Sequence, residues 1–221
     1  MSQYTIGLDF GTDSVRALVV DAENGREISS GVSYYTRWLE GSFNNPHQNQ
    51  FRQHPLDHLE GMEQAVKIAL NDCGDRIRKN IVGIGIDTTG STPCPVDERG
   101  NPLAFREDFK DDPDAMFILW KDHTAVQEAA EINEKAKQWG GIDYTRYEGG
   151  VYSSEWFWAK IIHVLRKNRK IRKAAFSSPS SGRGFLWPSS SPHSKGVFPL
   201  PSRPVLPGRG NEAEGLPLPR R

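Results

Sequence analysis

The chain has 221 residues, 36% of them hydrophobic and 25% charged, and its formal net charge at pH 7 is zero. This length suits one ordinary domain, or a domain with a tail. A net charge of zero provides no electrostatic attraction to nucleic acid or to an anionic membrane, so we expect neither as a partner.

The N-terminus and the cysteines indicate a protein of the cytoplasm. The first apolar run is interrupted by Asp9, so it predicts neither a signal peptide nor a membrane span. Cys73 and Cys94 are far apart and lack the spacing of a metal or redox motif. This spacing argues against a zinc site or a disulfide, and a reducing cytoplasm is the expected location.

The first 36 residues predict three strands, over residues 4–10, 15–20 and 28–36. The first alternates aliphatic residues around a glycine, and the second is rich in β-branched residues. Asn24-Gly25 lies between the second and third strands and is typical of a tight hairpin turn. The chain is therefore expected to open with a three-stranded antiparallel meander.

A helix and a buried strand are predicted next. Residues 43–55 are polar and irregular, and an amphipathic helix follows from Asp57 to about Asn71, with Asp57 and Glu60 spaced as a capping pair. One face of this helix would carry Leu59, Met62, Val66 and Leu70. The continuous apolar run of residues 81–86 is typical of a central strand that is buried on both faces.

The remaining pattern indicates the fold class. Residues 102–113 read as a loop, and helices are predicted over residues 124–139 and from a cap at Ser153 or Ser154 to about Arg169. A doubly wound nucleotide fold would alternate strand and helix from the start. The order of three strands, helix, strand and helix instead indicates an α/β fold of the actin-like, ribonuclease-H-like ATPase class. The sequence contains no Gly-x-x-x-x-Gly-Lys-Ser/Thr loop and no Gly-x-Gly-x-x-Gly motif, so ATP would need another binding device.

The composition changes near Phe176, after which Pro and Ser dominate. Such a stretch has no helix or strand period and cannot bury enough apolar surface to offset its ordering entropy. We therefore divide the chain into a partial folded domain, residues 1–176, and a disordered tail, residues 177–221. Three interpretations of the tail are open: a polyproline ligand for an SH3-like partner, a solvated segment without a role, and a coding region read out of frame.

Residues 8–14, Leu-Asp-Phe-Gly-Thr-Asp-Ser, are a candidate phosphate-binding hairpin. Asp9 ends a strand, and Gly11 permits a tight turn in which backbone amides can approach an anion. Thr12 and Ser14 add hydroxyl groups. A carboxylate beside such amides is what a Mg²⁺–phosphate group requires. The alternative is an ordinary turn, because Asp and Gly are common in turns.

Four segments resemble the FGGY carbohydrate kinases, and three of them resemble the ribulokinase branch of that family. Residues 6–16 are similar to the N-terminal phosphate motif of FGGY kinases in general. Residues 83–93 (GIGIDTTGSTP), 117–125 (FILWKDHTA) and 149–160 (GGVYSSEWFWAK) are similar to segments typical of ribulokinases. The resemblance runs in the same order through most of residues 5–175.

The resemblance implies transfer of the γ-phosphate of ATP, with Mg²⁺, to the 5-hydroxyl of the pentulose L-ribulose, a step of L-arabinose catabolism. It implies that Asp9 binds the metal and that the nucleotide phosphates and metal are contacted by Asp9, Gly11, Thr12, Asp13, Ser14 and Arg16. It implies a sugar site formed by Ser91 and Thr92, with Trp120, Asp122 and Tyr152 nearby. Two alternatives stay open: Trp120 as a core aromatic residue, and Asp122 as the N-cap of the helix near Thr124.

The resemblance ends near Ala175, where the composition changes, and this coincidence favours a frameshift or a mis-spliced end for the tail. The general base of the family is an aspartate expected beyond this point, as is the second ATP-binding domain. No catalytic residue is therefore identified, and little or no turnover is expected. An incomplete domain would expose a sheet edge or apolar surface, which predicts non-specific self-association.

Two other functions are consistent with the sequence. A non-catalytic sugar-binding or interaction module would use the pocket near Ser91 and Tyr152, and could use the Pro-rich tail. The other is an actin-like ATPase without sugar specificity, and the ribulokinase-like segments at residues 89–93 and 120–123 argue against it.

Overall fold

A computed structural model describes residues 2–175 and three two-residue strands beyond them. In chain order the elements are β1 (Tyr4–Phe10), β2 (Ser14–Asp21), β3 (Glu27–Tyr34), α1 (Thr36–Leu39), β4 (Asn44–Asn45), β5 (Gln50–Gln53), α2 (Pro55–Asn71), α3 (Asp75–Arg78), β6 (Ile81–Thr88), β7 (Cys94–Pro95), β8 (Phe117–Ile118), α4 (Val126–Gln138), α5 (Phe157–Lys167), α6 (Arg169–Ala174), β9 (Ser177–Ser178), β10 (Gly182–Arg183) and β11 (Phe185–Leu186). None of the helices in this part of the chain is long and apolar enough to cross a bilayer.

The main sheet has the strand order β3-β2-β1-β6. β1, β2 and β3 form the antiparallel meander that the sequence predicts, and β6 joins β1 in parallel after the chain has crossed over through α2. The turn before β3 contains Gly25, whose φ of 75° favours a residue without a Cβ atom. A mixed sheet with a helix on one face confirms the predicted α/β class.

Helix α2 covers one face of this sheet. The buried strand residues beneath it are Tyr4, Ile6, Leu8, Phe10, Val15, Ala17 and Val19. The helix meets the sheet through small residues, since Gly61, Ala65 and Ala69 are buried. The predicted face of large residues is therefore wrong in part. Leu59 is 49% exposed, and the partly buried residues at the margin of the core include Met62, Val66 and Leu70.

The closest approach between sheet and helix is at Gly31 in β3. A Cβ atom at this position would lie 2.3 Å from the carbonyl oxygen of Ala65 and 2.7 Å from the amide nitrogen of Ala69. Both are backbone atoms, which cannot yield without shifting the whole helix. A glycine in the strand and alanines in the helix together bring the two elements into contact.

The predicted capping pair at the start of α2 is wrong. The helix begins two residues earlier, with His54 as its N-cap. Asp57 is buried and accepts hydrogen bonds from the backbone of α1 and from the guanidinium of Arg37. Arg37 also pairs with Glu60 at 2.7 Å. Both acidic residues are thus used in tertiary contacts with α1, which a local spacing rule does not include.

Strand β6 lies at an edge of the sheet, so the prediction of a strand buried on both faces is wrong for the part of the chain that the structure describes. Within this part it pairs with β1 alone. Val82, Ile84 and Ile86 are 58%, 62% and 46% exposed. An apolar run shows that a strand has side chains suited to burial, but it does not show whether another element packs against them. The exposed edge and apolar surface expected from the sequence are both found in β6.

The segments around the main sheet also differ from prediction. Residues 43–55, expected to be irregular, contribute β4 and β5 to a small sheet with β8. Helices α4 and α5 begin at Val126 and Phe157, later than predicted, because the preceding residues form turns. A second core joins the loop after β7 to β8 and the last helices through Leu103, Met116, Ile118, Val164 and Ile171.

Beyond residue 176 the structure describes only β9, β10 and β11. β9 pairs with β10, and β11 pairs with β7. The expectation that this stretch contains no strand is wrong for these short segments. The rest of the predicted tail, residues 179–181, 184 and 187–221, lies outside the described residues.

We expect Gly31→Ala to lower the free energy of unfolding by about 3 kcal/mol, because the added methyl group forces α2 away from the sheet. The control is Gly7→Ala in β1, where a Cβ atom meets no described atom within 4 Å. Urea unfolding measures both variants. Equal unfolding midpoints would contradict the close packing of β3 against α2.

We expect the uncovered strand β6 to cause self-association of the 221-residue chain. Ile84→Lys should lower the associated fraction, because a charged side chain opposes both strand addition and apolar contact. Leu59→Lys, at an exposed position of α2, is the control and should have a smaller effect. Sedimentation velocity measures the distribution, and an unaltered chain that stays monomeric at all concentrations would refute this expectation.

Candidate functional site

The candidate phosphate hairpin, residues 8–14, and the candidate sugar loop, residues 89–93, are neighbours at one end of the main sheet. β1 and β6 are parallel and in register, so the residues that follow both strands emerge at the same edge. The amide of Thr89 donates a hydrogen bond to the carbonyl oxygen of Phe10 at 3.3 Å. This contact joins the two segments where the strands end, and it places residues 11–13 beside residues 89–93.

Asp9, Arg16 and Asp87 line a groove of about 770 Å³ on the face of the sheet that α2 leaves uncovered. Asp9 lies opposite Arg16 in β2 and beside Asp87 in β6. The carboxylate of Asp9 has no hydrogen bond or ion pair with any residue that the structure describes. A free carboxylate with an arginine on the next strand suits a divalent cation that carries phosphate.

The turn between β1 and β2 is shaped by Gly11. Its amide donates to the carbonyl oxygen of Ser14 at 2.9 Å, and a Cβ atom would lie 3.2 Å from the same oxygen. The buried hydroxyl of Ser14 donates to Asp13 at 2.9 Å. The amides of Thr12 and Asp13 bond to no group in the described residues, so both are available to an anion. The hairpin thus fits phosphate through its amides, whereas Ser14 supports the turn.

Metal binding here would need ligands in addition to the side chains that the structure describes at this site. The described residues contain no group of three or more His, Cys, Asp or Glu side chains that could hold a metal ion. Mg²⁺ is commonly bound by one or two carboxylates together with phosphate oxygens and water. Asp9 fits that pattern, with a nucleotide supplying the remaining oxygens.

Ser91 and Tyr152, from two different ribulokinase-like segments, line one cavity of about 500 Å³. The other lining residues are Gly90, Glu148, Trp156, Phe157 and Trp158. Hydroxyl and carboxylate groups beside aromatic rings suit a small polyol. The structure therefore brings these two predicted sugar residues together.

Tyr152 is held rigidly in the wall of this cavity. Its ring meets Trp156 edge-on, with centroids 5.0 Å apart, and its hydroxyl oxygen accepts a hydrogen bond from the amide of Trp158 at 2.9 Å. Burial raises the pKa of Tyr152 to about 12, and the negative charge of Glu148 adds to the rise. The hydroxyl therefore keeps a proton that it can donate to a ligand.

Within residues 89–93, the side-chain hydroxyls of Ser91 and Thr92, both predicted to contact the sugar, differ in whether a ligand can reach them. Ser91 has a left-handed φ of 56°, and its hydroxyl donates to the carbonyl oxygen of Glu155 at 2.9 Å. Thr92 is 1% exposed, and its hydroxyl donates to the carbonyl oxygen of Gly90 at 3.1 Å. Ser91 can still accept a hydrogen bond from a sugar, whereas Thr92 shapes the loop from within.

Asp122 is fully buried and does not line the cavity. One carboxylate oxygen accepts hydrogen bonds from the guanidinium of Arg52 and the amide of Phe51, both at 2.8 Å. The other accepts from the amide and hydroxyl of Thr124. Asp122 thus caps the turn before α4, which is close to the alternative role of N-cap for the helix near Thr124. It also connects that turn to β5.

Trp120 lies between the two parts of the site. Its side chain is 42% exposed, and its indole Nε1 donates to the hydroxyl oxygen of Thr12 at 3.0 Å. It is therefore neither a core residue nor part of the wall around Ser91. It connects one ribulokinase-like segment to the phosphate hairpin.

Sequence reasoning missed Asp87, Glu148 and Lys160. A signal for Asp87 exists, because Ile-Gly-Ile-Asp at the end of β6 repeats the Ile-Gly-Leu-Asp of β1. Glu148 ends a short 3₁₀ helix, Tyr144–Glu148, and Lys160 lies in α5. Glutamate and lysine are usually solvated, so neither residue type indicates a site. Their positions depend on tertiary contacts that no local pattern shows.

Comparisons with known proteins agree with this architecture. The N-terminal domain of the FGGY family of carbohydrate kinases matches residues 4–177. A ribulokinase from Vibrio parahaemolyticus is 54% identical over 175 residues, which cover 79% of this chain and 31% of that protein. A ribulokinase from Halalkalibacterium halodurans is 38% identical over 170 residues, which cover 74% of this chain and 30% of that protein. The chain thus spans less than a third of the length of these relatives.

Solved sugar kinase structures share the fold at low identity. Xylulose kinase from Bifidobacterium adolescentis has a TM-score of 0.57 at 16% identity and covers 78% of this chain and 31% of its own. Gluconate kinase from Lactobacillus acidophilus has a TM-score of 0.58 at 15% identity and covers 79% of this chain and 30% of its own. These likenesses confirm the actin-like ATPase fold. Because the family domain matches most of its residues, the chain belongs to the FGGY family of carbohydrate kinases.

Proposed function

We propose that this chain forms the sugar-binding and phosphate-binding part of a cytoplasmic ribulokinase, which transfers the γ-phosphate of ATP to L-ribulose and yields L-ribulose 5-phosphate. The observation that carries the proposal is the adjacency of residues 11–13 and 89–93, which follows from the parallel pairing of β1 with β6. The identity to two ribulokinases supports the choice of substrate class.

The phosphate side of the site would act by position and charge. Phosphoryl transfer requires alignment of donor and acceptor and compensation of the charge on the phosphate oxygens. Mg²⁺ bound with ATP would supply part of that compensation. Asp9 would hold the ion, and Arg16 lies on the neighbouring strand. The amides of Thr12 and Asp13, which bond to no group among the described residues, would bind phosphate oxygens.

The sugar side would bind L-ribulose in the cavity of Ser91 and Tyr152. The ring of Tyr152 and that of Trp156 would pack against the carbon chain, while the Tyr152 hydroxyl donates to a sugar oxygen. Ser91 and Glu148 would accept hydrogen bonds from sugar hydroxyls. Each polar group that pairs with a hydroxyl also discriminates against sugars that lack one at that position.

We also propose that the 221-residue chain binds these ligands without turnover. By the family resemblance, the aspartate that takes the proton from the sugar hydroxyl is not in the segments recognised within residues 5–175. Absence of a general base lowers a rate by a factor of about 10²–10⁴. A second candidate function follows, namely a sugar-binding module, because the cavity combines the hydroxyls of Ser91 and Tyr152 with the carboxylate of Glu148.

We expect L-ribulose to bind the 221-residue chain without sugar-dependent release of ADP from Mg²⁺–ATP. Titration calorimetry measures binding, and a coupled assay measures ADP against a control without sugar, in a sample whose intact mass is confirmed. Sugar-dependent ADP release would contradict the absence of turnover, and failure of L-ribulose to bind would contradict the sugar site. ATP hydrolysis independent of sugar would instead favour an actin-like ATPase without sugar specificity.

We expect Asp9→Asn to weaken binding of Mg²⁺–ATP by about ten-fold or more, because the neutral amide loses its charge interaction with the metal. The control is Glu23→Gln, an exposed position in the turn between β2 and β3, at the other end of the sheet. Titrations with and without EDTA separate the metal-dependent part of binding. An equal loss in both variants would show that overall charge, and not Asp9, is responsible.

A further inference from the structure

Lys160 in α5 is fully buried, and its ammonium group reaches both segments that carry candidate sugar residues. Nζ donates hydrogen bonds to the carbonyl oxygens of Ser91 at 2.8 Å, Leu119 at 2.7 Å and Trp120 at 3.3 Å. An ammonium group has three hydrogen atoms to donate, so these contacts use its full capacity. One side chain therefore connects α5 to two loops that are distant in sequence.

The first of these loops is held in an unfavourable conformation. Ser91 is one of two non-glycine residues in the described part of the chain with a positive φ. Such a conformation persists only where surrounding contacts hold it. Two contacts do so here: the Ser91 carbonyl accepts from Lys160, and the Ser91 hydroxyl donates to the carbonyl oxygen of Glu155. Both partners belong to α5 or to the residues just before it.

The second loop connects the same ammonium group to the phosphate hairpin. The carbonyl groups of Leu119 and Trp120 point to Lys160 Nζ, while the indole of Trp120 points to Thr12. The carbonyl contacts fix the backbone from which this indole projects. Lys160 therefore influences the sugar loop directly and the hairpin through one intermediate residue.

A buried ammonium group is costly unless its hydrogen bonds are satisfied. Burial lowers the pKa of Lys160 to about 7, an effect that Asp122 opposes and Arg52 strengthens. Its three hydrogen-bond partners are neutral carbonyl groups and not carboxylates. A carboxylate partner would compensate the charge of the Lys160 ammonium group more fully. The three carbonyl partners instead tie the backbones of two loops to this one group and so determine where those loops lie.

We propose that Lys160 is a positioning residue of the pentulose site, where its ammonium group holds residues 89–93 and 119–122 in the arrangement that binds the sugar. The inference rests on the proposed function. Lys160 does not line the cavity and acts through Ser91 and Trp120. Without it, the three carbonyl groups lose their donor and Ser91 loses one of the two contacts that hold its left-handed conformation.

The test compares the full chain with Lys160→Met, which keeps an unbranched side chain and removes the ammonium group. Lys167→Met, at the exposed end of the same helix, is the matched control. Hydrogen exchange with mass spectrometry measures the opening of residues 89–93 and 119–122, and calorimetry measures L-ribulose binding. We expect Lys160→Met to accelerate exchange in both segments and to weaken binding, each by about ten-fold or more, with exchange in β1 and β2 unchanged. Lys167→Met should change neither.

Unchanged exchange in both segments would overturn the inference. If L-ribulose does not bind the unaltered chain, the proposed function fails, while the exchange of the two segments still decides the role of Lys160. If Lys160→Met does not fold, Lys160→Gln replaces it, because the amide keeps two N–H donors in place of three. Lys160→Gln should accelerate exchange in residues 89–93 and 119–122 relative to the unaltered chain, and unchanged exchange in both segments would again overturn the inference.

Discussion

The parallel pairing of β1 with β6 determines where every part of the candidate site lies. Asp9 and Asp87 are in register, and the chain turns away from both strands at the same edge of the sheet. β1 carries the carboxylate of Asp9, and the turn after β1 carries the amides of Thr12 and Asp13; none of these groups bonds to another group in the part of the chain that the structure describes. The loop after β6 carries Ser91. Because transfer of a phosphoryl group requires donor and acceptor to be held together, this one pairing would supply the main geometric requirement of the proposed reaction.

Buried charges determine the finer geometry around that pairing. Arg52 and Asp122 form a fully buried ion pair at 2.8 Å, and Lys160 lies nearby with three carbonyl partners. Desolvation offsets much of the attraction in a buried pair, so such pairs add little net stability. Their directional bonds do connect β5, the turn before α4 and the sugar loop to one another. The support of the site is therefore polar and specific, whereas the support of the sheet is the apolar contact with α2.

The features that sequence reasoning predicted well are local. β1 has the bounds that its alternating pattern predicts, and the Asn24-Gly25 turn lies where its two residues indicate. The features it missed depend on contacts between distant segments. The contact face of α2 is set by Gly31 in another element, and the exposure of β6 depends on what lies beside it.

In the candidate site, too, local features could be predicted from the sequence, whereas features that depend on contacts between distant segments could not. Family motifs pointed to Ser91 and Tyr152, and these residues line one cavity. The motifs did not show that Thr92 and Asp122 face inward, because the side-chain orientation of each is set by a partner elsewhere in the chain. Lys160 lies within residues 149–160, one of the ribulokinase-like segments, but its role could not be predicted, since lysine in a helix usually indicates a solvated surface.

The most direct test of this account is the distance between a bound metal and a bound sugar in one chain. Mn²⁺ in place of Mg²⁺ accelerates the relaxation of nearby protons, so NMR of L-ribulose with the 221-residue chain and Mn²⁺–ATP measures their proximity. The account predicts strong relaxation of the sugar protons, stronger at the carbon that carries the 5-hydroxyl than at the opposite end, and loss of the effect in Asp9→Asn. Relaxation no greater than with Mg²⁺–ATP, in a chain shown to bind both ligands, would contradict the adjacency of the hairpin and the sugar loop.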